Sequence, residues 1–210
     1  MRVFHFLNEE FGLKDLSARR LKVARIMELN DPFEFLGVNL EDRDFREALK
    51  ATKETISESN GLLCFSKNWQ NPVLWGHYAD KHKGICLGFD MYEHPTILEY
   101  VKTRFKKPLV INENEVFMKK LLFTKFIHWA YEEEYRTYVS LEDEIDGLFY
   151  VDFSDSFVLK QVIVGAQSQL TRSQISEALG DLSEKVEVFK ARAAFKSFDV
   201  VRNKDDSLWA

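Results

Sequence analysis

The sequence predicts an α+β fold, a mostly antiparallel split β-sandwich or sheet with flanking helices. Three observations predict it. Short runs rich in β-branched and aromatic residues recur along the chain. Single helical patterns interrupt them without repeating as βαβ. No glycine-rich phosphate loop of either standard spacing occurs.

The first strand is Arg2–Leu7 (RVFHFL), whose alternation puts Val3, His5 and Leu7 on one face and Phe4 and Phe6 on the other. Further strands are predicted at 20–25, 61–66, 83–89, 136–141, 148–153, 159–165, 186–190 and 194–201. A helix over 40–59 has apolar residues at 45, 48, 49, 52 and 56, near the 3.6 period, and stops before Asn60-Gly61. A second, over 71–81, opens with Asn71 as cap and Pro72 at the first helical position. A third covers 112–126 with Asn112 as cap. The fourth, over 171–179, has Thr171 as cap, Gln174 completing a capping box and Gly180 as terminator.

A chain of 210 residues, 45% hydrophobic and 30% charged, buries a core of its own. Its eighteen phenylalanines predict a Phe-rich core. No Pro/Gly/Ser linker interrupts it, so one domain over 1–210 is expected, with a polar tail at 202–210 that frays. The net charge of −5 gives no whole-chain reason to expect nucleic-acid or anionic-membrane binding. The charge is uneven, however. Residues 101–125 and 185–204 are basic, whereas 131–155 hold nine acids against Arg136 alone. The basic stretches read either as solvated faces or as a rim favouring a polyanion.

Cys64 and Cys86 each sit in a short apolar run without histidine spacing, which predicts buried, reduced thiols. The opening MRVFHFLNEEFG lacks a signal-peptide apolar run, and no stretch approaches the ~18 apolar residues of a bilayer span. A cytoplasmic home without membrane partners is the expectation.

Four blocks stand out by composition: Asn30–Phe35 (NDPFEF), Leu62–Ser66 (LLCFS, with LCFS at its end), Trp75–Phe89 (WGHYADKHKGICLGF) and Lys125–Arg136 (KFIHWAYEEEYR). In the first, Asp31 before Pro32 favours a turn, with Phe33 and Phe35 anchoring it by burial. It is either a structural corner or a wall from which Asn30 or Glu34 faces a cleft. In the third, Trp75, Tyr78 and Ala79 share one helical face, and His77, Asp80 and Lys81 the other. In the fourth, an extended chain puts Glu132, Glu134 and Arg136 on one side, where pairing to Arg136 would make burial of carboxylates tolerable. A helical chain would make Glu132–Arg136 a plain i, i+4 pair.

Taken together the blocks resemble the bacterial family catalogued as domain of unknown function 2971. They follow its order: VFHFL, NDPFE, CFS, W-x-HYAD-x-H-x-G-x-C-x-GF, K-x-x-x-W-x-Y-E-x-E-Y-R and VIVG, from residue 2 to about 165. More weakly, the layout resembles the histidine–tyrosine–glutamate branch of the ADP-ribosyltransferase fold. The opening VFHFLNEEFGLKDLSARRLKV is similar to the strand, short helix and second strand of the DNA-targeting toxin members. That resemblance implies NAD as substrate, a nucleic-acid or protein acceptor, and a toxin or phage-defence setting with operon partners.

Carried over by residue, the resemblance makes His5, Tyr78, Glu132 and Glu134 the catalytic candidates. His5, Tyr78, Arg20, Asn30 and Arg136 become the NAD-binding ones. The residue types suit the chemistry, since a carboxylate such as Glu134 steadies the sugar cation formed when the nicotinamide–ribose bond breaks. A histidine bonds the ribose side, an aromatic ring packs on the nicotinamide, and an arginine neutralises the pyrophosphate.

Two rivals stand beside this reading. One is a non-catalytic binding or sensing module of a defence operon, in which the same blocks are structural. The other is a metal-dependent nuclease or hydrolase using His77, His82, Glu132 and Glu134, although no H-E-x-x-H spacing occurs.

Overall fold

In chain order the first elements are β1 (Arg2–Leu7), α1 (Glu9–Ala18), β2 (Arg20–Arg25), α2 (Arg43–Ser59) and β3 (Asn60–Ser66). Next come α3 (Pro72–Tyr78), β4 (Ile85–Met91), β5 (Thr96–Ile97), β6 (Glu99–Val101), α4 (Asn114–Leu122) and β7 (Thr124–Phe126). The remainder are β8 (Glu134–Ser140), β9 (Phe149–Asp152), β10 (Phe157–Val164), α5 (Arg172–Leu179), β11 (Glu187–Ala193) and β12 (Val200–Arg202). The computed structural model describes residues 1–93, 95–106, 114–205, 207 and 209. The mixture of helices and sheet is the α+β class expected.

Two compact units are present within the chain expected to be one domain. The first comprises Met1–Leu21, Phe65–His94 and Val151–Ala210; the second comprises Lys22–Cys64 and Pro95–Tyr150. The chain therefore crosses between them four times, within β2, β3 and β9 and between residues 94 and 95, and a division of that kind leaves no linker in the sequence.

In the first unit the strand order is β12-β11-β10-β4-β1. The pairs β1–β4, β4–β10 and β11–β12 are antiparallel, while β10–β11 is parallel. Val3 and Phe4 of β1 are both buried, so this strand is covered on both faces. Its core joins Phe4, Trp75, Cys86, Ile163 and Phe189. Phe65, Phe89, Phe153 and Phe157 form an edge-to-face and stacked cluster with centroids 4.2–6.3 Å apart, the Phe-rich packing expected.

A helix absent from the periodicity reading, α1, links β1 to β2. Asn8 caps it by accepting a bond from Phe11 N–H, and Arg19 closes it in the left-handed conformation. Its pattern is weak because Gly12 lies inside it, pressed against Ile85 of β4.

The helix expected over 71–81 ends at Tyr78. Asn71 caps it as expected, but Asp80, Lys81 and His82 all have positive φ. The turn returns the chain to Gly84, whose N–H donates to Ala79 O at 2.8 Å. The strand expected at 194–201 forms only from Val200. Residues 194–199 instead make a turn closed by Ala194 N–H to Asp199 O, which leaves Phe195 and Phe198 88% and 98% exposed.

The tail does not fray to its end. Trp209 is buried, its indole N–H donating to Leu170 O at 2.7 Å, with the Arg172 guanidinium over its ring. Apolar burial of one large ring outweighs the polar residues before it.

In the second unit β2 pairs antiparallel with the start of β3, β5 antiparallel with β8, and β6 parallel with β7. Asp42 caps α2, and Leu49 on its apolar stripe joins Ile26, Phe35, Val38, Leu62 and Leu121 in the core. The third predicted helix forms as α4, described from Asn114 and ending four residues short of the expected end. Its proposed cap Asn112 lies outside the described residues. Among the described residues no helix is long and apolar enough to cross a membrane.

Candidate functional site

The NDPFEF block folds as a tight turn. The Asp31 carboxylate accepts from Phe33 N–H at 2.9 Å, and Phe35 is forced to φ 68°. Phe35 is buried as expected, but Phe33 is 60% exposed and anchors nothing. The turn sends Glu34 inward rather than into a cleft. It is 3% exposed, and its backbone carbonyl accepts from Lys53 Nζ at 2.9 Å.

The KFIHWAYEEEYR block is neither wholly extended nor an α-helix. Residues Ile127–Glu132 form a 3-10 helix, Glu133 turns the chain in the left-handed conformation, and β8 begins at Glu134. The break at Glu133 brings Glu132 in from the helix, while Glu134 and Arg136 project from the same strand face.

These segments build a buried charged quintet: Glu34, Lys125, Glu132, Glu134 and Arg136, each with side-chain exposure of 7% or less. Lys125 Nζ donates to Glu132 Oε2 at 2.5 Å and Glu134 Oε2 at 2.9 Å, and lies 3.5 Å from Glu34 Oε1. Arg136 Nε donates to Glu134 Oε1 at 2.7 Å, and Nη2 to Glu134 Oε2 at 3.2 Å. Its Nη1 and Nη2 also form a fork on Glu34, and Nη1 reaches Leu122 O at 2.8 Å.

Arg136 therefore pairs with Glu134 but not with Glu132, which belongs to Lys125. Two cations face three carboxylates. The backbone N–H of Glu134 donates to the Tyr100 hydroxyl at 2.8 Å.

Burial pushes the Glu134 carboxyl upward, but the charges of Arg136 and Lys125 outweigh it and hold the group at about 2. Burial also opposes the Lys125 charge, and Glu134, Glu132 and Glu34 overcome it and raise that ammonium well above its ordinary value. Burial raises the Cys64 thiol well above the usual range, and Glu134, which it hydrogen-bonds, pushes it further. Burial lifts the Tyr100 phenol to about 12.

A carboxylate has about four lone-pair sites. Arg136 Nε donates to Oε1, and Arg136 Nη2 and Lys125 Nζ both donate to Oε2, so the two buried cations supply three donors to Glu134. Three of the four compositional blocks thus meet at one place: NDPFEF supplies Glu34, LCFS supplies Cys64, and KFIHWAYEEEYR supplies the rest.

The other candidates lie elsewhere in the chain. His5, in the first unit, sits opposite Leu87 on β4, half-buried, its ring edge-on to Phe65 at 5.7 Å. Tyr78 ends α3 in the same unit and is half-buried, with the exposed His77 ring 6.1 Å away. Trp75 and Ala79 are fully buried beneath it, as the helical face predicts. Arg20 is half-buried at the start of β2. Asn30, in the second unit, is exposed. Among the described residues, no three His, Cys, Asp or Glu side chains are grouped to hold a metal ion.

Sequence reasoning missed Lys125 and Tyr100 as members of the cluster. The one available signal was a lysine opening an otherwise uncharged run, KFIHWAY, seven residues before Glu132. Comparison of the chain with family models, with curated proteins and with solved structures gives no significant match.

Proposed function

We propose that this chain is a non-catalytic binding module, in which the conspicuous sequence blocks are structural and the ligand is held beside them. One observation carries the reading: Glu134 is buried with a side-chain exposure of 6%, and both its oxygens already accept from buried cations, Oε1 from Arg136 and Oε2 from Arg136 and Lys125. A carboxylate so enclosed and so paired is shielded from a ribose hydroxyl or a developing sugar cation, which is what transferase catalysis asks it to meet. On this reading the resemblance to the domain of unknown function 2971 family marks a shared structural centre, because its blocks supply the quintet.

The ADP-ribosyltransferase reading is the second one. The strand–helix–strand opening with His5 on its first strand favours it.

Labelled NAD incubated with cell lysate and with wild-type or Glu134→Gln protein decides between them, read alongside thermal unfolding. The binding reading expects no label transfer by wild type. It also expects a fall in Tm on the order of 10 °C in the variant. Removing one partner of a buried ion pair costs ~3–5 kcal/mol, and each kcal/mol is worth ~2–4 °C in a chain of this size. Label transfer that Glu134→Gln abolishes, with Tm held within a few degrees, overturns it.

A further inference from the structure

We infer that a cavity in the second unit, between the NDPFEF turn, the loop after β6 and β7, takes a mononucleotide-class ligand: a flat heteroaromatic ring carrying one phosphate. The inference rests on the reading of the chain as a binding module and names what it binds. The cavity encloses about 250 Å³. That is just below the ~300–1,000 Å³ range of sites for drug-sized ligands, so the space suits one ring system and its substituent.

The chemistry of the wall points to the class. Phe33 and Phe126 line the space and remain 60% and 44% exposed, which leaves aromatic surface open to it. Arg104 lies over the Phe33 ring at 5.9 Å, and His128 stacks on Phe126 at 4.8 Å, so each ring already engages a planar or cationic neighbour. Leu36 and Val101 complete the apolar lining.

The charged side is cationic. Lys102, Arg104 and Lys125 line the cavity beside Thr103 and Thr124, and among the described residues no carboxylate does. Lys125 has its ammonium turned onto Glu132 and Glu134, so it presents its aliphatic stem as floor. Lys102 and Arg104, both exposed, are the charges left to face a ligand. Arg104 uses Nε on Leu36 O at 3.1 Å, which fixes the guanidinium plane and leaves its terminal N–H groups for a two-pronged grip on phosphate.

The wall is also held in shape before any ligand arrives. Phe105 N–H donates to Gly37 O and Asn39 N–H to Phe105 O, both at 2.8 Å, and a Cβ on Gly37 would come within 3.1 Å of the Phe105 ring. Preorganisation of this kind lowers the cost of binding.

Calorimetric titration of the whole chain with AMP, GMP, CMP and UMP, and with adenosine and inorganic phosphate, tests the inference. At least one monophosphate is expected to bind saturably below about 1 mM, with adenosine and inorganic phosphate each at least ~10-fold weaker. Arg104→Ala is expected to weaken the nucleotide at least ~10-fold and Lys102→Ala less, with Tm unchanged. Phe33→Ala is expected to weaken the nucleotide but not inorganic phosphate.

Absence of saturable binding by all four nucleotides overturns the inference. So does inorganic phosphate binding as tightly as the nucleotides, or nucleotide affinity unchanged in both Phe33→Ala and Lys102→Ala. The two exposed-site variants decide the matter even where Arg104→Ala disturbs the loop. Label transfer from NAD would remove the non-catalytic reading and leave these titrations as they stand; silent titrations would remove only the ligand.

Discussion

Arg136 and Glu34 are 102 residues apart and form a two-pronged ion pair, Nη1 to Oε2 at 2.9 Å and Nη2 to Oε1 at 2.5 Å, with side chains 1% and 3% exposed. The pair ties the NDPFEF turn to β8, and Glu134 shares the same guanidinium. Arg136→Met is expected to cost ~3–5 kcal/mol in urea unfolding, because it strands carboxylates away from water. Arg136→Lys is expected to recover little, since an ammonium cannot reproduce the fork. Combining Glu34→Gln with Arg136→Met should cost less than the two changes summed, by ~0.5–3 kcal/mol. Strict additivity would mean that the two side chains are not coupled.

Acid should unfold this protein through Glu134. Its folded value of about 2 lies below the ~4.3 of an unfolded glutamate, so the unfolded chain binds the proton more readily. Its contribution, on the order of 3 kcal/mol, is complete above about pH 5 and is lost as pH falls towards 2. Lys125 acts in the opposite direction. Raised above its unfolded value, it contributes fully below about pH 10 and fades as pH rises further. Tm measured from pH 2 to 7 should fall on the acid side in wild type and show a shallower slope in Glu134→Gln. Parallel slopes would remove Glu134 from the acid transition.

Gly84→Ala should destabilise by at least ~1–3 kcal/mol. A Cβ there would lie 2.0 Å from Leu7 O and 3.0 Å from Ala79 O, both backbone atoms that cannot rotate away. Chemical denaturation of the variant checks this, and a midpoint equal to wild type would show that the β1–β4 corner yields more easily than its packing implies.

Much of the local structure was legible from the residues alone. Arg2–Leu7 and Arg20–Arg25 form strands with the expected bounds, and the Asn71-Pro72 and Thr171/Gln174 caps start helices where their chemistry requires. These depend on side chains close in sequence, and such signals survive without tertiary context. The α1 helix was illegible because Gly12 and a weak apolar stripe hide it, and packing on β4 supplies what propensity does not. The end of α3 was misjudged because three consecutive left-handed residues carry no glycine to announce them.

The α+β class, the caps and the four compositional blocks can be read from the residues alone, because periodicity and turn chemistry act within a few positions. How those blocks come together depends on contacts between distant stretches of chain. Whether a carboxylate is a catalyst or an internal tie depends on the charges that surround it once water is excluded, and Glu34, Lys125 and Arg136 reach Glu134 from distant stretches of chain. Spacing shows that Glu134 and Arg136 share a strand face; it does not show that Lys125 donates to the same carboxylate.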